Sequence, residues 1–248
     1  MNIEPYPIYE ASDAKAAAAK AVELVRAARA QMLMKGSLHT DDFLAAVVAS
    51  ATGLRVGRRI SHAFVMSVPT YPKPLIISDA AINIAPDLET KRDICQNAID
   101  LARILGRENP KVALLSAVET VTTKIPSTVE SAALCKMADR GQICGGTLDG
   151  PLALDNAISA LAAKTKGIHS PVAGDADILI APDLEAGNVL AKLLTFLAGA
   201  DAAGLVLGAR VPIILTSRAD SVRVRMASCG VAVLVAHGRG AGQAEAPA

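Results

Sequence analysis

Aromatic side chains are scarce in this chain of 248 residues: they make up 2% of it, and tryptophan is absent. Proteins that hold single-stranded nucleic acid commonly stack its bases on aromatic side chains, so this composition disfavours nucleic-acid binding. The 25 lysine and arginine residues are balanced by 24 aspartate and glutamate residues. A balanced chain creates no overall field that would attract nucleic acid or a membrane surface. An anionic ligand must therefore be held by local basic groups.

The chain also lacks a long hydrophobic run. A membrane helix needs about 18 consecutive apolar residues. The longest candidate, residues 189–215, is interrupted by Lys192, Asp201, Arg210 and Pro212. The N-terminus carries no basic segment followed by an apolar one, which is the pattern of a secretory signal. We therefore expect no membrane association and a cytoplasmic location.

Motifs for metals and common cofactors are missing as well. The four cysteines form no C-x-x-C pair, and no histidine follows them at the spacing of a zinc finger. The motifs H-E-x-x-H, G-x-S-x-G, G-x-G-x-x-G and the Walker A loop are all absent. We expect neither a bound metal nor a resident cofactor.

Short apolar strands alternate with amphipathic helices along the chain. This order is typical of βαβ units and predicts an α/β fold with mainly parallel sheet. The apolar fraction of 52%, much of it alanine, suits buried strands and closely packed helices. Strands are predicted at 31–34, 62–68, 74–80, 112–116, 177–181, 211–217 and 231–236, and helices at 12–30, 41–50, 87–105, 127–140, 153–164, 184–197 and 219–228.

One hexapeptide, IAPDLE, occurs twice, at 84–89 and at 180–185. In each copy the aspartate is suited to cap a helix and the glutamate to lie in its first turn. Two similar helix starts or an internal duplication would both explain the repeat. In either case the two helices present N-terminal N–H groups, which favour anionic ligands.

Polar residues that follow predicted strands are the candidates for a site, because ligands of doubly wound folds bind at the carboxyl ends of strands. The loop after 31–34 combines a cation, a glycine that permits close backbone approach, and hydroxyl groups. It supplies Lys35, Gly36, Ser37, His39 and Thr40. The alternative is an ordinary turn in which Thr40 or Asp41 caps the next helix.

Two asparagines are further candidates. Asn83 follows the strand at 74–80, together with Asp79, and Asn188 follows the strand at 177–181. An unpaired polar group in such apolar surroundings is costly, so Asp79 and Asn83 either cap local backbone or face a cleft. Gly187 beside Asn188 lies in a predicted helix, where glycine lowers stability, which suggests close approach of another backbone or of a ligand.

The strand at 211–217 ends in a hydroxyl, a guanidinium and a carboxylate, from Ser217, Arg218 and Asp220. An arginine can direct two hydrogen bonds onto one phosphate, and the carboxylate could accept a proton. Alternatively, Ser217 or Asp220 caps the next helix and Arg218 faces solvent.

Taken together, these loops resemble the phosphate acetyl/butyryltransferase family. Their amino-acid sequence is closer to the phosphate butyryltransferase branch. The matching segments, in order, are LMKGSLHTDDFL, ISDAAINIAPDLETKRDICQNAIDLA, GTLDGPLALDNAIS, GDADILIAPDLEAGNVLAK and LGARVPIILTSRADS. The resemblance implies two α/β domains separated by a cleft, as in isocitrate and isopropylmalate dehydrogenases, with N-terminal βα units of the family absent here. The domains would be 1–86 with 206–248, and 87–205, in a homodimer.

The resemblance also implies a reaction: acyl-CoA and inorganic phosphate exchange to give acyl phosphate and coenzyme A, with coenzyme A as substrate. Ser217 would donate to the developing oxyanion, Arg218 would bind phosphate, and Asp220 would be the base. Acetyltransferases of the family place an acidic base further along, near Val224 or Arg225 of this sequence. The alternatives are a dehydrogenase of similar fold and a non-catalytic relative that binds coenzyme A or serves a larger bifunctional enzyme.

Overall fold

A computed structural model describes residues 6–217 and 220–243. These residues form eight helices and eight strands. The helices are α1 (Ala14–Arg26), α2 (Thr40–Val48), α3 (Leu88–Ile104), α4 (Pro126–Asp139), α5 (Leu154–Ile158), α6 (Ala160–Thr165), α7 (Leu184–Phe196) and α8 (Val222–Gln243). The strands are β1 (Leu33–Met34), β2 (Ser61–Ser67), β3 (Leu75–Ser78), β4 (Lys111–Leu115), β5 (Thr147–Leu152), β6 (Ile178–Ile180), β7 (Asp201–Leu207) and β8 (Ile213–Ile214).

All eight strands form one sheet in the order β1-β8-β7-β2-β3-β6-β4-β5. The pairs β1–β8, β3–β6, β6–β4 and β4–β5 are parallel, whereas β7–β8, β2–β7 and β2–β3 are antiparallel. The fold is therefore α/β with a mixed, mostly parallel sheet. It follows that β1, β2 and β8 run in one direction and the other five strands run in the opposite direction.

Helices cover both faces of this sheet. Successive residues of β6 point to opposite sides: Ile178 and Ile180 join the cluster beneath α3 and α8, and Leu179 joins the cluster beneath α5 and α7. A third cluster packs α1 and α2 against β8, through Val22, Phe43 and Ile213 among others. The buried apolar groups thus form a layer on each side of the sheet, as α/β architectures require.

Residues 231–236, predicted as a final strand, belong instead to α8, so that prediction was wrong. The segment VAVLVA has strand-like composition, but its burial follows helical spacing. Ala232 and Val235 are fully buried, whereas Val233 and Leu234 are about half exposed, at 53% and 51%. Packing of one face against α3 has therefore overridden the β propensity of the valines.

Two strands, β5 and β7, were not predicted. The β5 segment contains Gly150 and Pro151, which are uncommon within strands, and it lies at the edge of the sheet, where proline is tolerated. The β7 segment, DAAGLVL, begins with small residues of low β propensity. Its place between β8 and β2 is set by tertiary pairing.

The two copies of IAPDLE start helices, as predicted. The Asp87 carboxylate accepts a hydrogen bond from the backbone N–H of Thr90, and the Asp183 carboxylate accepts one from Ala186, each at 2.8 Å. The two copies also touch each other, because the N–H of Leu184 donates to the carbonyl oxygen of Ile84 at 3.1 Å. The starts of α3 and α7 therefore lie side by side at the carboxyl ends of β3 and β6.

Candidate active site

The pairing of β1 with β8 brings together two loops that lie far apart in sequence. Leu33 is opposite Ile213 and Met34 is opposite Ile214 in parallel register, so Lys35 comes opposite Leu215, next to Thr216. The two loops enclose a cavity of about 440 Å³ lined by Met34, Lys35, Gly36, Ser37, Thr216, Ser217 and Arg225. The structure therefore joins three of the loop residues predicted after β1 to the serine predicted after β8.

Lys35 organises its own loop. Its side chain is buried, and its ammonium group donates to the carbonyl oxygens of Gly36 and Leu38, each at 3.2 Å. These contacts fix the course of the backbone over the following residues, where Ser37 is exposed beside the cavity. Lys35 thus supplies both a positive charge and a fixed loop.

A second cavity of about 310 Å³ adjoins the first and shares Thr216 and Ser217 with it. It lies beneath α7, against the face of the sheet formed by β2, β7 and the end of β8. Its walls combine apolar and polar groups. They are Thr40, His62, Phe64, Ala81, Asn188, Ala191, Lys192, Thr195, Phe196, Ala202, Leu215, Thr216, Ser217, Asp220 and Val224.

Ser217 and Asp220 form a tight turn at the mouth of this cavity. The Asp220 Oδ2 accepts a hydrogen bond from the backbone N–H of Ser217 at 2.6 Å, and the N–H of Asp220 donates to the Ser217 carbonyl oxygen at 3.1 Å. Ser217 is exposed and Asp220 is half-buried. Arg218, predicted beside them, lies outside the described residues.

The remaining predicted site residues differ in their placement. Thr40, the first residue of α2, and Asn188, in α7, both line the second cavity. His39 occupies the N-cap position of α2, is exposed, and lines neither of these two cavities. Asn83 also lies outside both of these linings: its amide donates to the carbonyl oxygen of Ile60 at 2.9 Å and to the Asp79 carboxylate at 2.5 Å. Asn83 therefore holds the turn after β3.

Strand direction separates the helix N-termini from the Ser217 loop. The sequence offers two kinds of anion site: the helix starts after Asp87 and Asp183, and the loop of Lys35. Three antiparallel pairs, β8–β7, β7–β2 and β2–β3, separate these strands, so the carboxyl ends of β1 and β8 lie at the opposite end of the strands from those of β3 and β6. Only the middle of α7, from Asn188 onward, reaches the cavity.

Gly187 allows α7 to approach the turn after β3. A Cβ atom at this position would overlap the carbonyl oxygen of Asp79 and would lie 3.1 Å from the Cβ of Ala181. The next residue, Asn188, donates to the carbonyl oxygen of Ala80 at 3.0 Å. The glycine that the sequence marked as unusual is therefore explained by close backbone packing beside the cavity.

We expect Gly187→Ala to destabilise the protein by about 1–3 kcal/mol, because the helix or the turn must shift to relieve the overlap. Chemical denaturation followed by circular dichroism would measure this loss. Gly230→Ala in α8 is the matched control, since nothing lies within 4 Å of a Cβ there. Equal stability of the two variants would show that α7 does not depend on this approach.

His62 also lines this cavity, although its sequence context, unlike that of His39, indicated only a surface or packing residue. It lies in β2, is 1% exposed, and stacks edge-on against Phe64 with ring centroids 4.4 Å apart. Burial lowers its pKa below the usual 6.5, against the opposing effects of Asp79, a backbone hydrogen bond with Leu215, and Asp220. The only signal in the sequence was a single histidine inside an apolar strand.

Comparison with known proteins identifies the family. A sequence model of the family described as phosphate acetyl/butaryl transferase matches residues 10–233. The chain is 68% identical over 239 residues to a phosphate acetyltransferase of Rhizobium meliloti, covering 96% of the chain and 76% of that protein. The chain belongs to the phosphate acetyl/butyryl transferase family.

Other members of the family share the sequence and the fold. A phosphate butyryltransferase of Clostridium acetobutylicum is 44% identical over 236 residues, which cover 95% of the chain and 78% of the relative. The crystal structure of a branched-chain phosphotransacylase from Enterococcus faecalis V583 is 36% identical, with a TM-score of 0.87 over 96% of the chain and 85% of the other protein.

Membership of this family confirms the resemblance drawn from the strand-end loops and, with it, the prediction of a phosphate acyltransferase. Of the two named relatives, the acetyltransferase has the higher sequence identity, 68% against 44% for the butyryltransferase. The loop sequences had suggested the butyryltransferase branch. In the described residues 6–217 and 220–243, no helix is long and apolar enough to cross a membrane.

Proposed function

We propose that this protein transfers a short acyl group between coenzyme A and inorganic phosphate: acyl-CoA and phosphate give acyl phosphate and coenzyme A. The observation that carries this proposal is the shared edge of two adjoining cavities, where Ser217 meets the loop of Lys35 on one side and Asp220 on the other. Family membership supplies the reaction class. The two cavities supply room for two substrates in contact, so proximity can drive the transfer without a covalent enzyme intermediate.

Each proposed role follows from the chemistry of the step. In the direction of acyl-CoA synthesis, the thiol of coenzyme A must lose its proton, because the thiolate is the nucleophile. Asp220 accepts that proton, and the thiolate attacks the carbonyl of the acyl phosphate. The hydroxyl of Ser217 donates a hydrogen bond to the oxygen that gains charge, and Arg218 pairs with the phosphate that leaves.

The charged and hydroxyl groups of the Lys35 loop suit the phosphate. The buried ammonium of Lys35 and the exposed hydroxyl of Ser37 lie in the cavity that contains Thr216 and Ser217. An anion at that place would gain from the local positive charge, which is less screened at a partly buried site than on an open surface. Gly36 leaves the loop open, since nothing lies within 4 Å of a Cβ at that position.

The apolar walls of the other cavity suit a short acyl chain. Phe64, Ala191, Ala202 and Val224 lie around it, within a volume of about 310 Å³. The name of the more similar relative favours acetyl as the main substrate. The name of the Clostridium acetobutylicum relative, a butyryltransferase, supports a butyryl group as a second substrate.

We also propose that the chain forms two domains of the isocitrate dehydrogenase type, 1–86 with 206–248 and 87–205. The protein would act as a cytoplasmic homodimer and would need no resident cofactor. Both predicted segments contribute to one cavity, Asn188 and Ala191 from the middle segment and Thr40 and Ser217 from the two ends, which supports a cleft between them. Exposed apolar side chains along α7, including Val189, Leu193 and Phe196, suit a subunit interface.

An assay of thiol release tests the function. Purified protein would be supplied with acetyl-CoA and then butyryl-CoA, with and without phosphate, and the acyl phosphate formed would be trapped with hydroxylamine. We expect release that depends on phosphate, with matching amounts of acyl phosphate. Binding of coenzyme A by folded protein without any turnover would contradict the proposal and favour a non-catalytic relative.

A further inference from the structure

His62 occupies a position that packing alone does not explain. Its ring lies on the same face of the sheet as Phe64 and lines the cavity that also contains Ser217 and Asp220. The side chain is 1% exposed, and the polar atoms of a buried side chain normally have hydrogen-bond partners. None of the proposed steps of the transfer involves His62.

The ring is tied to the strand that carries the proposed catalytic loop. Its Nε2 atom lies near the carbonyl oxygen of Leu215, two residues before Ser217, and this backbone group opposes the lowering of the His62 pKa. Gly204 of β7 lies beside this contact: a Cβ atom there would be 3.2 Å from the His62 Nε2 and 3.2 Å from the Leu215 carbonyl oxygen. Such distances are tighter than ordinary van der Waals contact, so glycine at 204 leaves the room that the His62–Leu215 contact needs.

The protonation state of the ring follows from its two nitrogens. The Nδ1 atom is buried and finds no hydrogen-bond partner among the described residues. A carbonyl oxygen can only accept a hydrogen bond, so the nearby Leu215 carbonyl favours the proton on Nε2 and leaves Nδ1 as an acceptor. Burial lowers the pKa of His62 below 6.5, which favours this neutral form at physiological pH.

We propose that His62 is a positioning residue, which holds the carbonyl of Leu215 through Nε2–H and thereby fixes Thr216 and Ser217 at the edge shared by the two cavities. This inference rests on the proposed function, since Ser217 is the oxyanion donor there. Because the donor must sit close to the charge that develops in the transition state, a loose Ser217 slows turnover more than it weakens substrate binding.

Protonation of His62 should disturb the same contact. The charged groups around the ring are Asp79 in the turn after β3, Asp220 before α8, and Lys192 of α7, which lines the same cavity. A second proton on Nδ1 would be buried without an acceptor, and the new charge would attract Asp220, whose carboxylate holds the Ser217 N–H. We therefore expect turnover to fall at a pH below 6.5, the ordinary pKa of histidine.

The test compares His62→Gln with His62→Leu in the phosphate-dependent assay. The amide nitrogen of glutamine can take the place of Nε2 and donate to Leu215, whereas leucine fills a similar volume without a donor. We expect kcat to fall about tenfold for His62→Leu, with KM nearly unchanged, and to stay within about twofold for His62→Gln. The glutamine variant should also lose the decline in rate below pH 6.5. His169→Gln, at an exposed histidine outside both cavities, is the matched control.

Imidazole NMR of the unmodified protein gives a readout that does not require turnover. We expect a neutral ring with the proton on Nε2 at pH 6.5. A ring protonated at that pH, or one with the proton on Nδ1, would overturn the proposal even if the protein proved to have no transferase activity. Equal loss of kcat in the glutamine and leucine variants would overturn it too, because that result would show that a donor at the Nε2 position does not sustain turnover.

Discussion

Asp220→Asn is expected to lower kcat by about 10²- to 10⁴-fold, the usual contribution of a general base, while leaving the fold intact. Asparagine keeps an oxygen that can accept the Ser217 N–H, now bonded to the carboxylate at 2.6 Å. It loses the ability to take the proton of the coenzyme A thiol. The variant therefore separates proton transfer from the structural role of the same side chain. Steady-state kinetics with acetyl phosphate and coenzyme A would measure the change.

Two further variants complete this test. Asp220→Ala removes both the proton acceptor and the cap of the turn, so we expect it to be at least as slow as the asparagine variant. Asp139→Asn changes the same chemical group in α4, where the carboxylate pairs with Lys136 on the surface, and should leave kcat unaltered. Full turnover by Asp220→Asn would mean that the carboxylate serves only to hold the turn at Ser217 and that another group accepts the proton.

The features that could be predicted from the sequence are mostly helices and their starts, because local interactions determine them. Helix α3 was identified because its apolar residues recur at helical spacing, and its start was identified because an aspartate at the N-cap bonds to the backbone three residues later. The same reasoning located α7. Gly187 was recognised as out of place in a helix, although the contact that requires it, with the turn at Asp79, could be seen only in the structure.

Long-range pairing set the limits of prediction. Nothing in the local sequence indicates that β1 pairs with β8 across most of the chain, yet this pairing is what brings the Lys35 loop to the cavity that contains Thr216 and Ser217. The strand β7 was missed, and with it the reversal of direction between β8 and the central strands. The sequence therefore did not reveal that the N-termini of α3 and α7 lie at the opposite end of the strands from Ser217.

The candidate site was predicted in composition and only partly in arrangement. Ser217, Asp220, Thr40 and Asn188 were each singled out from polar residues after strands, and all of them line one cavity. Asn83 was chosen on the same ground, but its amide is engaged by Ile60 and Asp79. A polar residue after a strand can cap a turn or face a ligand, and only the three-dimensional structure distinguishes these two roles.

Ala202→Val is expected to reduce kcat/KM for butyryl-CoA by about 10- to 200-fold, the range associated with the space of one methylene in an apolar pocket. Ala202 lies in β7 with its side chain toward the cavity, where Phe64 and Ala191 form neighbouring walls. The added methyl groups would occupy space that the longer chain needs, whereas an acetyl group ends sooner. We therefore expect kcat/KM for acetyl-CoA to change by no more than a few-fold, which makes the ratio of the two substrates the decisive quantity.

Ala203→Val is the matched control for this experiment, because adjacent residues of a strand face opposite sides of the sheet. Ala203 is buried to nearly the same extent, 4% exposed against 6% for Ala202, so valine imposes a similar packing strain without entering the cavity. It should lower thermal stability as much as Ala202→Val does but leave the ratio of butyryl to acetyl turnover unaltered. If Ala202→Val slows both substrates equally, the acyl chain does not lie against β7, and this cavity must hold another part of the coenzyme A thioester.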